Sequence, residues 1–416
     1  MQLKTATRLA GKLIVGIFIV FLAVSTVLGI STMLMSGSQE LGKSQGATDP
    51  QTPQALQGKQ TETGITESAS APESSPTIVV TEVTNGTSSA TCWAVTRIRE
   101  IVSPQEQSWL KEWNVTDYNS GWGEIIGMNG QYGFTVIQIT DTQYLSQDNS
   151  WGSFTSWLVS IKDALNVKMI IHTGDIVEHW GNKAEWKTAD ASMRILADAG
   201  VPYTWCTGNH DFNLANGSYI GSNYPSFNTS TFETRNYWLS SYDQQNTAVN
   251  WTYGGYKFIV VNLAYHANET ALAWLTNILD TNMDSDIIVA THSYLNSYGG
   301  YGWYGTGHGW ETNLRTLLDG YPNVFLTLSG HDPNVNAYNQ NVNGREEIFF
   351  NLQNMFVPSA RILMFNATAG KVYVRTFLQY HGESSRIWLN SLAHRFSFNV
   401  DFCSCAKKLE VTGLDA

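Results

Sequence analysis

Five apolar runs in this sequence each end in a residue that could bind a cation or move a proton. Asp141-Thr142-Gln143 follows the run at 134–140, and Gly174-Asp175 follows 168–173. Gly208-Asn209-His210-Asp211 follows 202–207, His292 follows 287–291, and Gly330-His331-Asp332 follows 324–329. One Asp after an apolar run is ordinarily a turn or a helix cap. Five such ends in succession form a pattern. Carboxylates, amide oxygens and imidazoles make a donor set that suits Mn, Fe, Zn or Ni better than Ca. No cysteine spacing of the kind that holds structural zinc accompanies it. One or two divalent ions per chain held by such a set could activate water and neutralise phosphoryl oxygens.

For these ends to meet, the runs must be strands of open sheets, where ligands lie beyond the carboxyl ends. Strands are predicted at 134–140, 168–172, 202–206, 286–290 and 324–328. Helices are predicted at 151–165, 183–199, 269–280 and 311–319. The runs 250–253 and 256–263 read as a hairpin around Gly254-Gly255. Runs at 347–352, 361–365, 371–378 and 396–402 read as strands with no helices between them. Alternation followed by a strand-rich tail predicts a mixed α/β sandwich.

The order Asp-x-x, Gly-Asp, Gly-Asn-His-Asp, His, Gly-His resembles the calcineurin-like metallophosphoesterase superfamily over about 131–380. Asp141-Thr142-Gln143-Tyr144, Thr291-His292-Ser293-Tyr294 and the stretch 321–325 resemble a branch whose first motif carries Gln. The resemblance implies a four-layer α-β-β-α sandwich. It implies that Asp175 bridges two metals, that Asp141 and Gln143 bind the first, and that Asn209, His292 and His331 bind the second. His210 would act as general acid or as stabiliser of the phosphoryl oxygens. Asp211, which completes that motif, is counted with His210 as catalytic. A metal-bridging hydroxide would attack phosphorus in line.

Two departures stand out. Gln143 replaces the usual His of an Asp-x-His first motif, and Pro333 replaces the second His of Gly-His-x-His. Proline has no ligating side chain, which leaves Asp332 or Asn334 as the substitutes if the loop turns differently. The expectation is a weakened first metal site. Glu178 stands where the family often has a second acid, though a helix-start carboxylate is the simpler reading. His172 and His179 are read as shaping the site. The Gly- and aromatic-rich stretch 293–310 reads as a lid, with Tyr294, Tyr301, Trp303, Tyr304 and His308 as candidate substrate contacts.

Composition bounds the setting. The 416 residues are 43% hydrophobic and only 14% charged, which excludes a wholly disordered chain. Four cysteines are too few for a disulfide-built fold. A net charge of −11 argues against a nucleic-acid partner. Residues 1–12 read as a basic cytoplasmic tail. The uncharged run 13–35, at about 1.5 Å per residue, is long enough to span a bilayer as a signal anchor. Residues 36–90 read as a flexible Ser/Thr/Pro-rich stalk, 91–130 as an extension of the catalytic domain, 131–402 as that domain, and 403–416 as a tail. Positive-inside orientation would place everything after 35 outside the cell membrane. Seven Asn-x-Ser/Thr sequons, at Asn85, Asn114, Asn216, Asn228, Asn250, Asn268 and Asn366, suit that side. Cys206 reads as a buried thiol, and a bridge from Cys92 to Cys403 or Cys405 as permitted. The expectation is a membrane-anchored extracellular phosphohydrolase acting on a phosphomonoester or phosphodiester. Its ligand would be a phosphorylated small molecule, glycan or lipid headgroup. The alternative is a degenerate, non-catalytic surface module that binds glycans or phosphorylated ligands.

Overall fold

The computed structural model describes residues 111–128, 130–148, 150–302, 309–332, 336–352, 357–379 and 386–403. The expected tail 1–12, membrane segment 13–35 and stalk 36–90 lie outside the described residues, as do Cys92, Cys405, Asn85, Pro333 and Asn334. No helix among the described residues is long and apolar enough to cross a membrane.

The chain forms a mixed α/β structure with two sheets. In the first, Phe134–Ile139, Val167–Thr173 and Tyr203–Cys206 run parallel. Ser359–Asn366, Lys371–Gln379, Arg386–Leu389 and Thr116–Asp117 extend it antiparallel. Phe396–Asn399 also pairs with Lys371–Gln379. In the second, Tyr256–Leu263, Asp286–Thr291, Val324–Ser329 and Arg345–Asn351 run parallel. Asn336–Val342 flanks this sheet at one edge, and Thr247–Tyr253 followed by Trp238–Ser241 at the other. Parallel neighbours need long crossovers, and helices Ser150–Ile161, Lys183–Asp198, Glu269–Thr281 and Gly309–Leu318 lie in them.

Alternation along the strands sorts side chains into layers. Phe134, Val136 and Ile171 meet Phe258, Val260, Ile288 and Leu326 between the sheets. Their neighbours Ile137, Ile139 and Ile170 pack outward on Trp151, Phe154, Trp186 and Met193. On the second sheet Ile259, Val261 and Val289 pack outward on Leu275, Leu279 and Leu314. Helix, sheet, sheet and helix therefore follow one another. The layer between the sheets turns polar toward the strands' carboxyl ends. There Gln138 Nε2 donates to Thr173 Oγ1 and to the Ser329 carbonyl, both at 3.1 Å, and so ties one sheet to the other. Asn262 Nδ2 donates to Thr204 Oγ1 at 2.6 Å.

The predicted strands and helices are present with small shifts of boundary. The helix expected to reach 165 stops at Ile161, and Asn166, at φ +48°, turns the chain into the next strand. The Gly254-Gly255 turn is present, with both glycines at positive φ. Four strands went unread, one of them Thr116–Asp117, only two residues long. Asn336–Val342 is polar, and it pairs with Arg345–Asn351 across Asn343-Gly344, at φ +55° and +89°. That dipeptide is a strong hairpin signal, but the strand before it has too little apolar alternation to register. Trp238–Ser241 and Arg386–Leu389 are four residues each, too short to show a period.

In the turn before Phe396–Asn399, His394 is fully buried, with Nδ1 3.2 Å from Thr376 Oγ1 and its ring edge-on to Trp113. Burial, reinforced by the charge of Arg361, holds its pKa well below the usual histidine value. The folded state keeps this ring neutral, whereas the unfolded chain takes up a proton below about pH 6.5. Stability is therefore full above that pH and falls as the pH drops below it, by about 1.4 kcal/mol per pH unit for one proton. In urea denaturation between pH 7 and pH 5, His394→Phe is expected to show a shallower decline than the parent protein. An equal decline in both would remove His394 as a source of acid sensitivity.

Candidate metal centre

The carboxyl ends of the parallel strands in both sheets converge. Asp141 leaves Phe134–Ile139 by way of Thr140, Asp175 follows Val167–Thr173, and Asn209 and His210 follow Tyr203–Cys206. His292 follows Asp286–Thr291 and His331 follows Val324–Ser329. Asp175, His292 and His331 are buried and offer ligand atoms within 4.8 Å of one another. Asp141, Asp175 and His331 adopt φ of +51°, +53° and +77°. Left-handed backbone is uncommon for residues with a Cβ and concentrates at functional sites. At these three strand ends the backbone turns through the left-handed region just where the side chain reaches the centre.

Two glycines are required here by close approach. A Cβ on Gly208 would lie 2.1 Å from Asp175 Oδ1, and one on Gly330 would lie 2.3 Å from Asp141 Oδ2. The strand ends thus pack backbone against the carboxylates of their neighbours.

The hydrogen bonds fix which atoms face the centre. The His292 Nδ1–H donates to the Thr173 carbonyl at 2.8 Å, so Nε2 faces Asp175 Oδ2 at 3.2 Å and His331 Nδ1 at 3.2 Å. A backbone carbonyl on one ring nitrogen and an inward-facing second nitrogen is the usual arrangement for a metal-bound imidazole. Gln143 Nε2 is 3.3 Å from Asp175 Oδ2. Asp141 Oδ2 accepts from Thr140 Oγ1 and the His331 N–H. Asp141 Oδ1 and Asn209 Oδ1 are buried with no hydrogen-bond partner among the described residues. Buried oxygens left without donors are costly, and a cation is the partner this donor set fits. Asp141, Asp175, Asn209, His292 and His331 would hold it.

The electrostatics agree. Burial and the charge of Asp175 push the Asp141 carboxyl up to about 7, against the opposing pull of His292. Burial would also raise Asp175, but His292, His210 and His331 together hold it below the usual carboxylate range. His292 is raised to about 9 because Asp175 and Asp141 outweigh its burial. Burial and the neighbouring His292 lower His331 to about 3.

Around this centre the sequence-predicted residues divide. His210 sits beside it, with Nε2 4.0 Å from Asp175 Oδ2 and its Nδ1–H donating to the Glu178 carbonyl at 2.9 Å. Asp211 is not a catalytic group. One of its oxygens accepts from the Ile176 and Val177 N–H groups and the other from the Gly208 N–H. Both oxygens are thus consumed in stapling the Asp175 loop to the Asn209 loop. Asp332 has its Oδ2 engaged elsewhere, where it accepts from the Ser297 N–H and hydroxyl. Tyr294 is buried in the second sheet's outer core, where its hydroxyl donates to Glu347, so it presents no surface to a ligand. Tyr301 is turned the same way, donating to Glu347 at 2.7 Å under the guanidinium of Arg315. The stretch 293–302 is thus pinned to the core rather than poised as a lid. Trp303, Tyr304 and His308 lie outside the described residues. His172 is buried and shapes the first motif. Its Nδ1 accepts from the Gly174 N–H, so Nε2–H donates to Thr142 Oγ1 at 2.8 Å. His179 is largely exposed and paired with Glu185.

The sequence reading missed Tyr265 and His266. Tyr265 has its ring centroid 5.3 Å from that of His331 and 6.1 Å from that of His292. The signal was present: Tyr256–Leu263 is parallel to Asp286–Thr291, so the residues after Leu263 emerge at the same edge.

The calcineurin-like phosphoesterase family model matches residues 134–335, the span that carries every residue of this centre. Residues 134–335 are a calcineurin-like phosphoesterase domain. As a relative, the Bacillus subtilis (strain 168) protein YvnB, described as uncharacterized, is 29% identical over 202 residues, 48% of this chain and 15% of YvnB. This chain therefore spans a small part of that relative's length. Among solved structures, a dimetal phosphatase from Danio rerio is similar, with a TM-score of 0.45 and 13% identity over 65% of this chain and 100% of that one. A purple acid phosphatase from yellow lupin (Lupinus luteus) seeds has a TM-score of 0.43 and 14% identity over 65% of this chain and 55% of that one.

Two outcomes test the centre. With Gln143 in place of an imidazole, the purified protein is expected to hold one divalent ion tightly and a second only in added metal. Gln143→His should raise the stoichiometry measured by plasma mass spectrometry, and two tightly held ions in the parent protein would count against a weakened first site. Gly208→Ala should displace the Asp175 carboxylate and lower metal content in the folded protein. Unchanged metal content would show that the close approach does not matter.

Proposed function

We propose that this phosphoesterase hydrolyses phosphomonoesters or phosphodiesters with His210 as proton donor to the departing oxygen. Bound divalent ions supply the Lewis acidity that activates water and neutralises phosphoryl oxygens. The observation that carries the assignment of His210 is its setting. Glu178 holds Nδ1, leaving Nε2 at the centre's open side, with the His210 side chain 36% exposed. Burial works against its charge, but Asp175, the Glu178 carbonyl and carboxylate, and Asp211 outweigh it and raise its pKa. A histidine whose charged form is favoured at a reacting edge is suited to general acid catalysis.

His210→Ala is expected to lower kcat on bis-p-nitrophenyl phosphate with added Mn. The loss should approach about 10²–10⁴-fold on esters with poor leaving groups and be smaller for p-nitrophenolate, which needs less protonation. Metal content should stay unchanged. Equal turnover with and without His210 on a poor leaving group would sink the assignment.

We further propose that the run 13–35 anchors this domain at the cell membrane, with residues 36–416 outside. The basic flank at 1–12 and the sequons support this reading. Asn114, Asn216 and Asn268 are exposed, whereas the amide nitrogens of Asn228 and Asn366 donate to backbone carbonyls. The first three are therefore the better glycan acceptors. A phosphorylated small molecule, glycan or lipid headgroup outside the membrane would be the substrate. Protease added to intact cells should remove the domain, and full protection would overturn this placement.

A further inference from the structure

Tyr265 and His266 form a built wall on one side of the centre. The two rings stack with centroids 3.9 Å apart and an interplanar angle of 15°. His266 Nε2 lies 3.1 Å from Oε1 of Glu311, a fully buried carboxylate that also accepts from Ser293 Oγ at 2.9 Å. The Tyr265 N–H donates to the Thr207 carbonyl, which ties the wall to the strand end that carries Asn209 and His210. Both rings remain part-exposed. Among the described residues, no ring other than His266 stacks face to face on Tyr265. The Tyr265 ring lies beside His331 and His292, and His210 packs against Glu178.

The charges around the centre narrow the substrate. Among the described residues, the hydrogen bonds and ion pairs of Asp141, Asp175, His210 and His292 run to carboxylates, imidazoles, a hydroxyl, an amide and backbone groups, and none to Lys or Arg. The adjoining stretches 303–308 and 333–335 contain neither residue. Guanidinium and ammonium groups are the usual clamps for a phosphoryl dianion. A phosphodiester carries one negative charge where a monoester carries up to two. It also has a second organic group, which stays on phosphorus and projects to the flank of the axis along which the group protonated by His210 would depart.

Resting on the hydrolase reading above, we propose that the substrate is a phosphodiester whose retained ester group bears a flat aromatic or heteroaromatic ring, and that this ring lies on Tyr265. Glu311 holds His266, and His266 backs Tyr265, so the platform is rigid before the ligand arrives. Little ordering entropy is then lost on binding.

The test uses two diesters with the same leaving group, p-nitrophenyl phenyl phosphate and ethyl p-nitrophenyl phosphate, with p-nitrophenyl phosphate as the monoester and added Mn throughout. The parent protein should prefer the phenyl diester over the ethyl diester by roughly three- to tenfold in kcat/KM, the range expected of one ring stack. It should also prefer the phenyl diester over the monoester. Tyr265→Leu should bring the phenyl-to-ethyl ratio toward one, and Tyr265→Phe should keep it. No preference in the parent, an equal loss on both diesters in Tyr265→Leu, or faster turnover of the monoester would overturn the proposal. If the metal-loaded parent hydrolyses none of the three, the hydrolase reading itself fails, and the proposal with it.

Discussion

Two buried carboxylates in one pocket, Asp141 and Asp175, are the constraint around which the rest of the structure is arranged. Like charges out of water repel and are expensive to keep. The surroundings offset this unequally. His292 leans on Asp175, and three imidazoles together favour its charged form. Asp141 is left with one oxygen lacking a donor and a pKa pushed up to about 7. The pocket is therefore a cation site in its electrostatics as well as in its residue types. Holding it open requires rigidity, which comes from the Asp211 staple and the Gln138 cross-link between the sheets.

The three histidines inside the centre and its base share a residue type but not a state. His292 is pulled toward the charged form by two carboxylates. His331 and His172 are driven toward neutrality, mainly by burial and then by the charge of His292. His210 lies farther out, part-exposed, and its charged form is favoured by Asp175 and Glu178 against its burial. Burial and contacts set the rings apart: His292 and His331 are buried with ligand atoms beside Asp175, whereas His210 is part-exposed and packs against Glu178.

That division marks how far the sequence could be read. The strand ends were legible because five apolar runs stop at ligating residues, and a parallel sheet brings such ends together. The role of Asp211 was not legible, since nothing in Gly-Asn-His-Asp tells which side chain turns back to cap backbone N–H groups. Tyr294 and Tyr301 were misread because aromatic content in a loop carries no direction, and both hydroxyls point to Glu347, away from the centre. Tyr265 was hidden by treating 256–263 only as half of a hairpin. That strand is also the parallel neighbour of the strand before His292, so its exit had to lie at the same edge.

The sparse charge of the chain has a structural counterpart. Asp141, Asp175, Asp211, Glu185, Glu311 and Glu347 are all buried, so part of a small supply of carboxylates is kept inside. Each is held there by specific donors or imidazoles, and each ties together segments that a surface charge could not. Glu185 binds the loop after Asp175 through two backbone N–H groups. Glu311, on the helix Gly309–Leu318, joins His266 to Ser293, the residue after His292. One buried carboxylate thus sets the position of a metal-ligand loop and of the aromatic wall beside it. Removing one partner of such a group costs more than the contact itself, because the charge is left stranded. A substitution at Glu311, away from the cluster of ligands, would therefore disturb ligand binding and ring stacking together, whereas one at Tyr265 would disturb stacking alone.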